Sequence, residues 1–107
     1  MDALEAMVAA NYHPNRTLTA SATVVSALET LLEELEQRSE NVSDADVELE
    51  FLELMDLITD CADEVDTAAT VLMVERTDPG ARAEVDKAVA KTRKAAADAS
   101  SLLIKYP

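Results

Sequence analysis

The chain has 107 residues, of which 49% are apolar, with only one glycine and three prolines. Such a shortage of turn-forming residues excludes a β-rich fold, which needs a turn about every 8–12 residues. Its 22 acidic and 9 basic residues give a formal net charge of −13, which argues against direct binding to nucleic acid or an anionic membrane surface. We therefore expect an all-α protein forming one domain, residues 1–107.

The first predicted helix is short and covers residues 2–12. Leu4, Met7 and Val8 lie on one face of it. It is expected to end before Pro14, because a proline disfavours helical backbone in the residue that precedes it.

The second predicted helix covers residues 17–40, with Thr17 or Thr19 as its N-cap. Its apolar residues are spaced alternately three and four apart, which is typical of a coiled-coil seam. The seam comprises Leu18, Ser21, Val25, Leu28, Leu32 and Leu35.

The third predicted helix is the longest, covering residues 43–77, with Ser43 as N-cap and Asp46 completing a capping box. The same spacing of four and three continues along its whole length, and a second apolar row widens this face. The seam comprises Val47, Phe51, Leu54, Ile58, Cys61, Val65, Ala68 and Leu72, and the second row comprises Leu52, Met55, Ala62 and Ala69.

The fourth predicted helix covers residues 79–105, since Asp78 suits an N-cap and Pro79 suits the first helical position. Short connections force consecutive helices to run antiparallel, so the prediction is an antiparallel helical bundle. The inner face of this last helix comprises Val85, Val89, Thr92, Ala96, Ala99, Leu103 and Tyr106.

An interface is expected near the end of the longest helix. The predicted lengths let the 17–40 helix cover the 43–77 helix only as far as Val65, and the four apolar residues 71–74 then spread around an uncovered end. Contiguous exposed apolar patches usually mark contacts with other chains. The alternative is that the N-terminal helix covers this end completely. The predicted interface comprises Val71, Met73, Val74, Leu4 and Met7.

The charge is distributed unevenly along the sequence. Residues 1–80 hold three basic and nineteen acidic residues, whereas residues 81–107 hold six basic and three acidic residues. Lys87, Lys91 and Lys94 form a row on one side of the last helix and are added to the predicted interface. This row either lies beside acidic residues of its own bundle or meets the acidic body of a second copy in a head-to-tail assembly.

Two acidic segments suggest an alternative chemistry. Glu33-Glu34-Leu35-Glu36 and Glu53-Leu54-Met55-Asp56 resemble the paired acidic motifs of MazG-type nucleotide pyrophosphohydrolases, which are all-helical. The resemblance covers two helices and implies metal-dependent hydrolysis with Glu33, Glu36, Glu53 and Asp56 as ligands. The sequence departs from the family pattern at Gln37, where a Glu is required. In addition, the helical repeat turns Glu53 and Asp56 away from the seam, whereas metal ligands in a bundle project inward.

No other catalytic or cofactor motif is found. His13 is the single histidine and lies beside Pro14, and Cys61 falls on the apolar seam, where it is expected to be a buried structural residue. We therefore predict no catalytic residue, no metal, no cofactor and no enzymatic activity.

The predicted function is that of a non-enzymatic assembly protein, an oligomeric or accessory subunit of a larger complex such as a virion connector or a secretion-system accessory. The alternative is an acidic inhibitor, immunity protein or nucleic-acid mimic that blocks a basic partner. The acidity is also typical of a halophilic source. The N-terminus has acidic residues where a secretory signal has basic ones, and no stretch reaches the ~20 apolar residues of a membrane helix. We expect a cytoplasmic location, or a virion if the source is viral.

Overall fold

The computed structural model describes residues 4, 6, 7 and 13–106. Three helices and their connections make up residues 13–106, and the described residues contain no strand: α1 is Pro14–Glu40, α2 is Ala45–Val74 and α3 is Pro79–Lys105. The predicted helix over residues 2–12 lies outside the described residues, apart from Leu4, Ala6 and Met7.

The start of α1 differs from the prediction. Pro14 occupies the first turn, and the backbone of His13 before it is extended. Proline suits this position because its φ angle is already helical and its missing N–H would have no partner there. The amide of Thr17 instead donates to the carbonyl of His13 at 2.9 Å, so the expectation that Thr17 or Thr19 caps the helix is wrong.

Aspartates cap the other two helices. The carboxylate of Asp44 accepts hydrogen bonds from the amides of Asp46 and Val47 at 2.9 and 3.4 Å, so Asp44 is the N-cap and the prediction of Ser43 is wrong. The carboxylate of Asp78 accepts from the amide of Gly80 at 3.1 Å. The start of α3 therefore agrees with the sequence prediction.

The three helices are similar in length, at 27, 30 and 27 residues. A difference of three residues corresponds to only about 4.5 Å along the helix axis. The predicted length mismatch is therefore wrong, because α1 begins three residues earlier than expected and α2 ends at Val74 instead of residue 77.

Helix α2 packs along both neighbours, whereas α1 and α3 touch each other little. The bundle is elongated, with extents of 50 × 20 × 16 Å. None of the three helices has the length and continuous apolar character that a membrane crossing requires.

The core follows the predicted seams with one shift. On α2, Phe51, Ile58, Cys61, Val65 and Leu72 are completely buried. On α1 the buried row begins one residue earlier than predicted, so Leu18 is exposed and Val25 and Leu32 are half-buried. This helix has apolar residues on adjacent rows, and the packing against α2 selects one of them. The buried row of α1 comprises Thr17, Ser21, Val24, Leu28 and Leu35.

Alanines dominate the buried face of α3. Short side chains allow helix axes to approach closely with a thin layer of atoms between them. Besides Val85, Val89 and Thr92, this buried face comprises Ala81, Ala88, Ala95 and Ala99.

One end of the bundle is closed by Arg38 of α1. Its guanidinium donates hydrogen bonds to the carbonyls of Leu103 and Tyr106 at 3.4 and 3.1 Å. These carbonyls lie at the C-terminus of α3, where the helix itself supplies no donors and a positive charge is favoured. The ring of Tyr106 lies 6.1 Å from that of Phe51, so aromatic packing joins α2 to the same end.

Candidate interaction surface

The outer face of α2 is the surface most unlike the rest of the bundle. At about 100° per residue, a second row of positions spaced four and three apart lies roughly opposite the buried seam. All of its members are exposed. This row, called the α2 outer strip, comprises Leu49, Glu53, Asp56, Asp60, Asp63, Thr67, Thr70 and Val74.

The α2 outer strip is apolar at its ends and acidic in its middle. Leu49 is 53% exposed, and Leu52 beside it is 47% exposed. At the other end, Val74 is 80% exposed and the adjacent Val71 is 39% exposed. Leu52 was predicted to widen the apolar face of the seam, and that prediction is wrong because nearly half of its surface remains exposed.

The electrostatic character of α2 is uniformly negative. The helix carries nine carboxylates, all exposed, and no basic residue. Of these nine carboxylates, only that of Glu64 forms an ion pair within the described part of the chain, with the ammonium of Lys91 on α3 at 2.7 Å. The carboxylates of the α2 outer strip are therefore exposed and form no ion pair with residues 4, 6, 7 or 13–106.

Part of the predicted interface is brought together between α2 and α3. Val71 and Lys87 line a groove of about 160 Å³ that Glu64 and Glu84 also line. The hydrogen bond to Glu64 raises the pKa of Lys91. Lys91 therefore pairs with an acidic residue of its own bundle, which is the first of the two alternatives predicted for the row of lysines.

The other predicted interface residues are separated. Val74 and Lys94 are exposed on different helices, and Met73 is half-buried. Leu4 and Met7 are 1% and 2% exposed and belong to the hydrophobic core. Leu4 shares a cavity of about 280 Å³ with residues of α3 that include Ala96, Ala97 and Ser100. Both side chains are therefore buried by their own chain and do not belong to the candidate surface.

The acidic residues of the MazG-like segments do not converge. Glu33 and Glu36 are exposed on α1, and Glu53 and Asp56 are exposed on α2. Within the described residues, no three Asp, Glu, His or Cys side chains come together as a metal-binding group. These carboxylates do not form the inward-facing set that metal chemistry in a helix bundle requires.

The end of the bundle where residues 41–44 connect α1 to α2 contains an open groove of about 740 Å³, lined by residues that include Arg38, Asp44 and Tyr106. The guanidinium of Arg38 is already hydrogen-bonded to the carbonyls at the end of α3, and Asp44 caps α2. The polar groups of this groove therefore serve to terminate helices.

Cys61 is buried between α2 and α3 as a free thiol. Burial raises its pKa above the ordinary thiol value, and the hydroxyl of Thr92 and the ammonium of Lys91 oppose this rise only in part. A buried thiol held in its protonated form is a poor nucleophile, which agrees with the structural role predicted for it.

The raised pKa makes folding stability depend on pH. The folded protein holds the thiol proton more tightly than the unfolded chain does. The contribution of the protonated thiol to the free energy of unfolding is complete below the ordinary thiol pKa of about 8.5. It is lost as the pH rises through the higher pKa of the folded protein. We expect the free energy of unfolding of the wild type to fall more steeply above about pH 8.5 than that of Cys61→Ala. Urea titrations of both proteins across this range test the difference, and equal slopes would contradict it.

Sequence reasoning missed Leu49 and Ile104 as surface residues; Ile104 is 79% exposed near the end of α3. The available signal was a second row of four-and-three spacing on the side opposite each seam.

No known protein family matches the chain, and no curated protein or solved structure is detectably similar to it.

Proposed function

We propose that this chain is a non-enzymatic assembly protein that binds another protein chain through the α2 outer strip. The observation that carries the proposal is the exposure of Leu49, Leu52, Val71 and Val74 at the two ends of an acidic segment. This segment comprises Glu53, Asp56, Asp60 and Asp63 of the α2 outer strip. Apolar groups at the two ends suit contact with a partner helix, and the carboxylates between them select a partner with basic residues at matching positions.

The apolar ends supply the larger part of the binding energy in this proposal. Complete burial of a leucine stabilises by about 1.5–3 kcal/mol, and roughly half of each of Leu49 and Leu52 is still exposed in the single chain. Ion pairs at an accessible interface each contribute only about 0–1 kcal/mol. The acidic segment therefore determines orientation and partner choice more than affinity.

The proposal predicts concentration-dependent association that depends on Leu49 and Leu52. Changing both to serine should weaken association at least about tenfold, since the burial of two half-exposed leucines is lost. Sedimentation velocity or native mass spectrometry over a micromolar concentration series measures the effect.

Leu18→Ser is the matched control, because Leu18 is also an exposed leucine, 36% exposed, but lies on α1. It should leave association unchanged. Equal weakening by the control, or association that is indifferent to Leu49 and Leu52, would contradict a specific role for the α2 outer strip.

A second candidate is an acidic inhibitor that occupies the basic site of a foreign protein. It is favoured by the nine exposed carboxylates of α2, of which only Glu64 is paired within the described residues. This function predicts a monomer at all concentrations and a 1:1 complex with a basic protein that dissociates as salt screens the contact. The assembly function predicts association in the absence of any foreign protein.

A further inference from the structure

The outer face of α3 carries a second exposed row with the same spacing of four and three. Its residues are small or basic, apart from an isoleucine at the end, and none is acidic. This row, called the α3 outer strip, comprises Ala83, Lys87, Ala90, Lys94, Ala97, Ser101 and Ile104.

We propose that the occupant of the α2 outer strip is the α3 outer strip of a second copy of this chain. The inference rests on the proposed function and names its partner. Copies of the chain then bind each other through a heterologous contact, in which one face of the first copy meets a different face of the second.

Charge complementarity is the first argument for this pairing. The middle of the α2 outer strip has four consecutive members with carboxylates, from Glu53 to Asp63, and the α3 outer strip has lysines at 87 and 94. Lysines seven residues apart lie about 10 Å apart on one face of a helix, as do Asp56 and Asp63. A helix-to-helix contact can therefore match both charges at once.

Shape and length also agree. The exposed alanines at 83, 90 and 97 alternate with the lysines and let a second helix approach the α3 outer strip closely. From Ala83 to Ile104 the strip spans about 32 Å, against about 38 Å from Leu49 to Val74 on α2. The apolar side chain of Ile104, 79% exposed, can then reach an apolar end of the partner strip.

The net charge of −13 opposes association of identical chains, but the opposition is mostly long-range. At physiological ionic strength the screening length is about 8 Å, so repulsion between distant charges of the two copies is weak. The lysines and carboxylates at the contact lie closer together than this and keep most of their attraction.

The two strips lie on different helices, consist of exposed residues and have no residue in common. Each copy therefore retains a free α2 outer strip after its α3 outer strip has docked. A heterologous contact of this kind continues into a ring or an open filament. Species larger than a dimer are expected.

Two pairs of charge reversals test the inference in the full-length chain. One variant is Asp56→Lys with Asp63→Lys on α2, and the other is Lys87→Glu with Lys94→Glu on α3. All four side chains are exposed, so circular dichroism should show native helix content in both. Each variant alone places like charges opposite each other, and its self-association should weaken at least about tenfold.

Mixing the two variants provides the decisive measurement. The intact α3 outer strip of the first meets the intact α2 outer strip of the second, and the two reversed strips are complementary to each other. Association should therefore return to within about threefold of wild type in the mixture. Glu29→Lys with Glu33→Lys on α1 raises the net charge by the same amount as the α2 variant does, at exposed positions away from both strips, and it should not weaken association.

The failures of the two proposals can be told apart. If only the α2 variant weakens association and mixing restores nothing, the α2 outer strip binds a surface other than α3 and this inference is overturned while the proposed function stands. If neither variant changes association, both are overturned. Weakening by the α1 control as strong as by the strip variants would show a nonspecific effect of charge and would also overturn the inference.

Discussion

Replacing Phe51 with alanine is expected to lower the free energy of unfolding by about 3–5 kcal/mol. The side chain is completely buried on α2 and packs against the ring of Tyr106 at a centroid distance of 6.1 Å. Its loss removes apolar burial and leaves a cavity at the end of the bundle where α2 and α3 meet. A domain of this size has a total stability of about 5–15 kcal/mol, so the change removes a large share of it.

Urea denaturation followed by circular dichroism measures this loss, and the thermal midpoint should fall by roughly 10 °C or more. Leu49→Ala is the matched control, since Leu49 lies two residues away on the same helix and is 53% exposed. At low protein concentration, where the α2 outer strip is unoccupied, it should change the free energy of unfolding by no more than about 1 kcal/mol, since only about half of the side chain is covered. Similar losses in the two variants would contradict the burial of Phe51 on one face of α2 and the exposure of Leu49 on the other.

The second large effect is expected from Ala99→Leu on α3. Ala99 is completely buried among other alanines on the face that packs into the bundle. Three additional carbon atoms do not fit there without moving the helix, and overpacking of this kind typically costs about 1–3 kcal/mol. Leucine and alanine are both good helix formers, so the loss reports packing and not helix propensity.

Ala90→Leu makes the same chemical change at an exposed position of α3 and should leave stability within about 0.5 kcal/mol of wild type. Both proteins are compared at low concentration, because Ala90 belongs to the α3 outer strip. Ala99→Leu with unchanged stability would contradict the close approach of α3 to the rest of the bundle.

The two faces of α2 have different roles, one in folding stability and the other in the proposed association. Phe51, Ile58 and Leu72 on one face contribute to the core, and the opposite face carries the acidic segment with its apolar ends. Substitutions on the first face are expected to change stability, and those on the second to change association. This separation allows the proposed assembly to be tested with variants that still fold.

The helical class and the register of the longest seam follow from local properties of the sequence. Alternation of four and three places the apolar residues of α2 on one side whatever packs against them, so Phe51 and Ile58 were correctly predicted as core. The start of α3 was also predictable, because Asp78 and Pro79 act on the first turn alone. The other N-caps did not follow from the sequence, since Thr17, Ser43 and Asp44 are all residue types that suit this position.

Two features depend on the tertiary structure, for one physical reason: whether a side chain is covered depends on the position of neighbouring helices. The apolar rows of α1 are adjacent, and packing against α2 decides that Val24 is buried and Leu18 is exposed. Likewise, Val71 and Val74 were predicted to be exposed by an uncovered helix end. They are exposed because they lie on the outer side of a helix that is covered along its length, and this places them on one face with Leu49 and the acidic segment.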